Sequence, residues 1–185
     1  MKITYLTTAD LTQGLEHILQ SPHDAGSLEM IVSRPAHGER RVCDECALDP
    51  ETGVAGDHWA RGCWKSLPDG KPDPDVQVTL MNARVISLIA QTRERWPLAG
   101  DNLIVDLDLS CENLPVGQRI AIGSAILQIT AVPHTGCKDF AVRFGVDALQ
   151  FVNSPQGKQM SLRGINTRIL QAGVVRTGDR VQKIA

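Results

Sequence analysis

The chain has 185 residues, 42% of them apolar and 22% charged, with both signs interspersed. That balance excludes a disordered or collagenous chain and predicts a single domain over residues 1–185, large enough to bury its own core. A formal net charge of −2 argues against a whole-surface nucleic-acid binder and leaves room for a local basic pocket.

The first predicted element is a helix from Asp10 to Gln20, within an N-terminal helical extension over 1–26. Asp10 would cap it with Gln13 at the capping-box position, Leu11, Leu15, Ile18 and Leu19 form one apolar stripe, and Ser21-Pro22 stops it. A strand follows at Leu28–Ser33. The stretch 34–74 is rich in proline, glycine and charge and is expected to be an irregular insertion bordering a pocket. Val76–Leu80 has strand character, and Asn82 is placed to cap a helix from Ala83 to Trp96 ahead of Pro97. Short strands then take over: Leu103–Leu109, then Arg119–Ile122 and Ala125–Ala131 about the Gly123-Ser124 turn. Lys138–Val152 is expected to form one or two short helices. Ile165–Ala172 and Asp179–Ile184 flank Gly173 and Gly178 and are expected to pair with each other. The fold class predicted is mostly β, a small closed or partly closed barrel with a few peripheral helices.

No run approaches the ~20 apolar residues of a membrane span. Met1–Gly14 lacks a basic n-region and an apolar h-region, and no arginine precedes Arg34, so neither a secretory signal nor a mitochondrial presequence is expected. The five cysteines are an odd number and point to free thiols in a reducing compartment, hence a bacterial cytoplasmic protein with no membrane and no nucleic-acid partner. Thirteen of the nineteen cations are Arg, which suits forked recognition of carboxylate and phosphate, although codon bias in a GC-rich genome gives the same excess.

Cys43, Cys46, His58 and Cys63 fall within a short span, but the spacing is irregular and strand alternation would put Cys43 and Cys46 on opposite faces, so zinc is disfavoured. Cys137 stands apart. It follows a strand, opens a predicted helix and lies beside His134, Thr135, Gly136 and Lys138. These neighbours favour thiolate, and Cys137 is expected to have the lowest pKa of the five cysteines. Further polar groups set beside glycines are Asp57-His58, Asp101-Asn102 and Arg163; each alone is ordinary turn chemistry.

Taken in order, these segments resemble the MOSC domain family, named for the C-terminal domain of molybdenum cofactor sulfurases. The resemblance runs through Gly56-Asp57-His58, Gly100-Asp101-Asn102-Leu103, the hairpin from Leu114 to Gly123, Pro133-His134-Thr135-Gly136-Cys137 and Arg163-Gly164-Ile165-Asn166. Asp101 stands where the family usually has Glu, and Gly136 where it usually has Pro. The resemblance implies a barrel-like fold and work in molybdenum cofactor chemistry. Cys137 would then be the catalytic residue, as a pyridoxal phosphate-independent sulfur carrier or as a thiolate ligand to molybdenum. Some family members reduce N-hydroxylated compounds, so a small reductase is a second expectation. Molybdopterin would be held by Cys137, Arg163, Asn102, His134, Thr135, Lys138, Asp57 and His58, and an electron-donor or sulfurtransferase protein would be the partner. The alternative is a cofactor-free module that binds a small anion or a partner protein, with Cys137 only lining the pocket.

Overall fold

The computed structural model describes residues 4–185. Its strands are β1 (Ala25–Ser33), β2 (Arg41–Cys43), β3 (Glu45–Asp49), β4 (Gly53–Val54), β5 (Val78–Asn82), β6 (Leu103–Asp106), β7 (Arg119–Ile122), β8 (Ala125–Ile129), β9 (Ile165–Gln171), β10 (Gly173–Arg176) and β11 (Arg180–Ile184). The helices are α1 (Thr8–Gln13), α2 (Leu15–Leu19), α3 (Trp59–Gly62), α4 (Ala83–Ala90), α5 (Lys138–Phe144), α6 (Val146–Asn153) and α7 (Pro155–Gln159). Hydrogen bonding runs β11-β7-β8-β9-β5-β6-β1 and returns from β1 to β11, closing a seven-stranded barrel; β2 adds to β1. A small second sheet, β10-β3-β4, lies beside it.

The strands differ in how their residues are buried. In β7 and β8 the pattern alternates: Ile120, Ile122, Ala125, Leu127 and Ile129 are buried, and their neighbours are partly or fully exposed. In β5 and β6 both faces are covered. Leu80, Leu103 and Val105 join the barrel core, whereas Met81 and Ile104 face a second apolar cluster made by Val85, Ile86, Ile89, Phe140 and Phe144. This is why those two strands are continuous apolar runs: helices cover the outside of the barrel there. β5 and β6 are the parallel pair, and α4 is part of the crossover between them.

Several expected boundaries move. The first helix divides at Gly14 into α1 and α2, and its cap is Thr7, whose hydroxyl accepts from the Asp10 N–H while the Asp10 carboxylate accepts from the Thr7 N–H. Asp10 is therefore the return half of the capping box. Asn82 does cap α4, accepting from the Arg84 and Val85 amides, but α4 stops at Ala90 because Gln91 turns left-handed; a separate 3₁₀ turn over Arg93–Ala99 carries Pro97. The 34–74 stretch is not irregular throughout: it contains β2, β3, β4 and α3. β11 does not pair with β9. Its partners are β7 and β1, and β9 lies between β8 and β5. The β9–β10–β11 connection leaves the barrel to pair β10 with β3 before returning. Among the described residues, no helix is long and apolar enough to cross a membrane.

Candidate functional site

The end of β1, the start of β6, the end of β8 and the start of β9 meet at one rim of the barrel. The segments leaving these strands carry Arg34, Gly100-Asp101-Asn102, His134 to Cys137, and Arg163. Two buried carboxylates organise them. Asp57 accepts from Arg34 Nε (2.8 Å) and Nη2 (3.2 Å), from the Arg34 and Trp59 backbone amides (both 2.9 Å) and from Asn102 Nδ2 (2.9 Å). Burial opposes its ionisation, but Arg34 and these N–H donors outweigh that and hold its carboxyl below the usual range. Asn102 also donates to the Val32 carbonyl and accepts from Thr79, so it ties β1, β5 and the start of β6 together.

Asp101 is the second centre. It accepts from Arg163 Nη1 (2.6 Å) and faces His134 Nε2 (2.7 Å). Burial again works against its charge, yet Arg163 and His134 lower its pKa to about 2. His134 is shifted downward, first by burial and then by the Arg163 charge, against the pull of Asp101. A neutral imidazole beside an ionised carboxylate places its proton on Nε2, which donates to Asp101 and leaves Nδ1 as an acceptor. Gly164 is required at this point. Its φ is +105°, and a Cβ there would lie 2.2 Å from the Leu80 carbonyl oxygen and 3.2 Å from the His134 ring.

A cavity of about 310 Å³ opens over these groups. Arg34, Arg40, Arg143 and Arg163 line it, with His58, His134, Trp64 and Cys137, and Asp139 is its one acidic lining residue. Arg34 and Arg163 are matched by Asp57 and Asp101. Arg40 has no carboxylate partner among the described residues, and burial together with the charges of Arg143 and Arg34 pushes its pKa down. The buried Nε atoms of Arg40 and Arg163 have no hydrogen-bond partner. Arg143 lies 3.9 Å from Asp139, so among the described residues Arg40 is the one guanidinium of the four without a carboxylate, and the unused donors of Arg40 and Arg163 make a site for an anion.

Cys137 is the N-cap residue of α5 and is exposed, with no side-chain hydrogen bond to the helix. Its position is set by Gly136, whose N–H donates to Asn153 Oδ1 (2.9 Å) and whose carbonyl accepts from Asn153 Nδ2 (3.0 Å). A proline at 136 would lack that N–H, which accounts for the glycine. A Cβ at Gly136 would also meet Leu149 at 2.7 Å.

The structure thus brings Cys137, His134, His58 and Arg163 to one cavity. Asn102 and Asp57 are buried behind it and act on Arg34 and the backbone. Thr135 lines an adjoining, more apolar cavity of about 560 Å³ that shares His134, Arg163 and Asn166 with the first. Lys138 begins α5 exposed and lines neither. Sequence reasoning did not single out Arg34, Arg40 or Arg143; arginines in loops and on short helices carry no local pattern. Cys46 is buried, and burial raises its pKa. Among the described residues no three His, Cys, Asp or Glu side chains converge as a metal site.

The sequence model of one family, the MOSC domain, matches residues 72–182. No curated protein matches the chain by sequence. Among solved structures, YuaD from Bacillus subtilis is similar at 18% identity and a TM-score of 0.58, covering 86% of this chain and 95% of that one. YiiM from Escherichia coli is similar at 17% identity and a TM-score of 0.55, covering 86% of this chain and 70% of that one. YiiM from Geobacillus stearothermophilus is similar at 15% identity and a TM-score of 0.52, covering 89% and 75%. At such identities these neighbours speak to the fold alone.

Proposed function

This chain belongs to the MOSC domain family, and from that premise we propose that its arginine-lined cavity takes molybdenum cofactor, with the Cys137 thiolate as a ligand to the metal. The observation that carries this reading is the shared cavity: an exposed thiol and four arginines, two with unpartnered buried Nε atoms. The donor set fits the group. Thiolate is a soft ligand, and guanidinium forks match a phosphate.

Bound there, the metal would supply two-electron chemistry for reducing N-hydroxylated compounds. The chain's own residues bind and orient. Arg40, which no carboxylate among the described residues engages, would hold the anionic end of the ligand, with Arg143 beside it. Asp57 and Asp101 fix Arg34 and Arg163 so that these do not swing. His134, kept neutral and with Nε2–H directed at Asp101, presents Nδ1 to accept a proton. Electrons would come from a partner protein. A sulfur-carrier role for Cys137 needs only the thiol and leaves the surplus of cations without a task, so the ligand role is the better supported of the two.

The test is metal and pterin analysis of freshly isolated protein expressed with molybdate, beside Cys137→Ser. We expect pterin and molybdenum together in the wild type, with a thiolate-to-molybdenum absorption band that the variant loses. A wild type that carries neither would favour a cofactor-free binding module and overturn the proposal.

A further inference from the structure

One feature of the cavity is used neither by the metal-ligand role nor by phosphate binding. Trp64 lines it and is 75% exposed, whereas the other two tryptophans are buried, Trp59 at 5% and Trp96 at 7%. The hairpin that follows it is held in place. The chain from Lys65 to Asp73 folds back on itself: Ser66 bridges Pro72, the Leu67 amide donates to the Lys71 carbonyl, the Asp73 amide donates to the Lys65 carbonyl, and Lys65 Nζ pairs with Asp73 (2.8 Å). Trp59 anchors this hairpin to the barrel rim, its indole N–H donating to the Asp73 carbonyl and its amide to Asp57, the partner of Arg34. The exposed indole thus projects from a backbone that, from Lys65 onward, is tied to the framework holding the arginines.

An indole face beside a cluster of guanidiniums suits a flat, electron-poor ring carrying an anionic tail. We propose that Trp64 is a specificity-determining residue that stacks on a planar heteroaromatic ring, a pterin or a purine, whose phosphate lies on the arginines. The assignment rests on the anion-binding reading of the cavity and adds the ring to it. Beside its strands, the 34–74 segment supplies Arg34, Arg40 and Trp64 together, the parts that capture of a ring-bearing phosphate ester requires.

Titration of the isolated full chain with inorganic phosphate, ribose 5-phosphate, guanosine monophosphate and a pterin monophosphate tests this, read by calorimetry and by tryptophan emission. Trp64 is the one solvent-exposed tryptophan, so stacking quenches the red-shifted part of the emission. The ring-bearing probes should bind about tenfold or more tighter than ribose 5-phosphate, the order that base stacking on an aromatic side chain supplies. Trp64→Ala should lose that preference while keeping the affinity for ribose 5-phosphate, and Trp64→Phe should restore most of it. Because Trp64 is exposed, neither change threatens the fold. Whichever ring binds tighter identifies the source, pterin or purine. If ribose 5-phosphate binds as well as the ring-bearing esters, or if Trp64→Ala keeps the preference, the assignment of Trp64 fails and the anion site stands. If no phosphate binds the wild type and Arg40→Ala changes nothing, the cavity reading and the inference built on it fall together.

Discussion

Asp101 and His134 give the site an acid-sensitive foundation. The Asp101 carboxyl has a folded-state pKa of about 2 against an ordinary value of 3.8. A depressed acid contributes stability that is complete above the unfolded value and is lost as pH falls from about 4 toward 2. For a shift of this size the contribution is about 2–3 kcal/mol. His134 is also depressed, so its neutral form is the folded one; stability is lost as pH drops below its ordinary 6.5, because the unfolded chain then binds the proton more readily. Both slopes run the same way but in separate windows. The melting temperature measured against pH should begin to fall below about 6.5, and His134→Gln should flatten that first portion. Asp101→Asn should flatten part of the decline between 4 and 2, with Asp57, Asp73 and the other depressed carboxyls retaining the remainder, and should cost stability at pH 7 by leaving Arg163 buried without its counter-charge. A His134→Gln profile that overlays the wild type would show that the imidazole is not held neutral.

At the scale of elements, the segment between β8 and α5 is fixed from behind by the end of α6. Asn153 makes both hydrogen bonds that the Gly136 backbone offers on that side, and Cys137 follows directly. Asn153→Ala should lower the melting temperature by about 3–8 °C, the order expected for losing a reciprocal pair of partly buried hydrogen bonds in a chain of this length. It should also weaken the thiolate-to-molybdenum absorption, because the thiol is no longer held in register, whereas Asn153→Asp should keep the acceptor half and recover part of the loss. An unchanged absorption band in Asn153→Ala would mean that Cys137 is positioned by α5 alone. Elements with a local signature were legible in the sequence: the Asn82 cap, the Gly123-Ser124 hairpin, and the helical segment from Lys138, which divides at Gly145. Cys137, His134 and Arg163 were singled out from their setting among glycines and from the family resemblance, and all three line one cavity. Thr7 was missed because either Thr7 or Asp10 satisfies a capping pattern. Arg40 was missed because its meaning lies in what it lacks, a carboxylate partner, and that emerges only when Gly100 and Arg143 are brought beside it.

The molecule as a whole depends on a closure made by its last strand. β11 bonds to β7 along Val181–Ile184 and to β1 along Arg180–Gln182, so it is the strand that turns an open sheet into a barrel. Val181 is wholly buried in the barrel core, and the Gly178 amide and the Asp179 carbonyl bond to Leu28 where β11 begins. Local periodicity could not supply this pairing, because the partners lie about 60 and 155 residues away and β10 detours to β3 between β9 and β11. Closure has a consequence for the site, since β1, which delivers Arg34, is held on one side by β6 and on the other by β2 and β11. Removing residues 178–185 would leave β1 and β7 with unpaired edges and open the barrel core to water. The truncated chain should be insoluble or lack cooperative thermal unfolding. Val181→Asp, which keeps every backbone bond but sets a carboxylate inside the barrel, should cost several kcal/mol and become less harmful as pH falls through the carboxyl range. A truncated chain that melts cooperatively near the wild-type temperature would show that six strands and the helical layer suffice, and that the rim carrying the arginines does not need the ring to be closed.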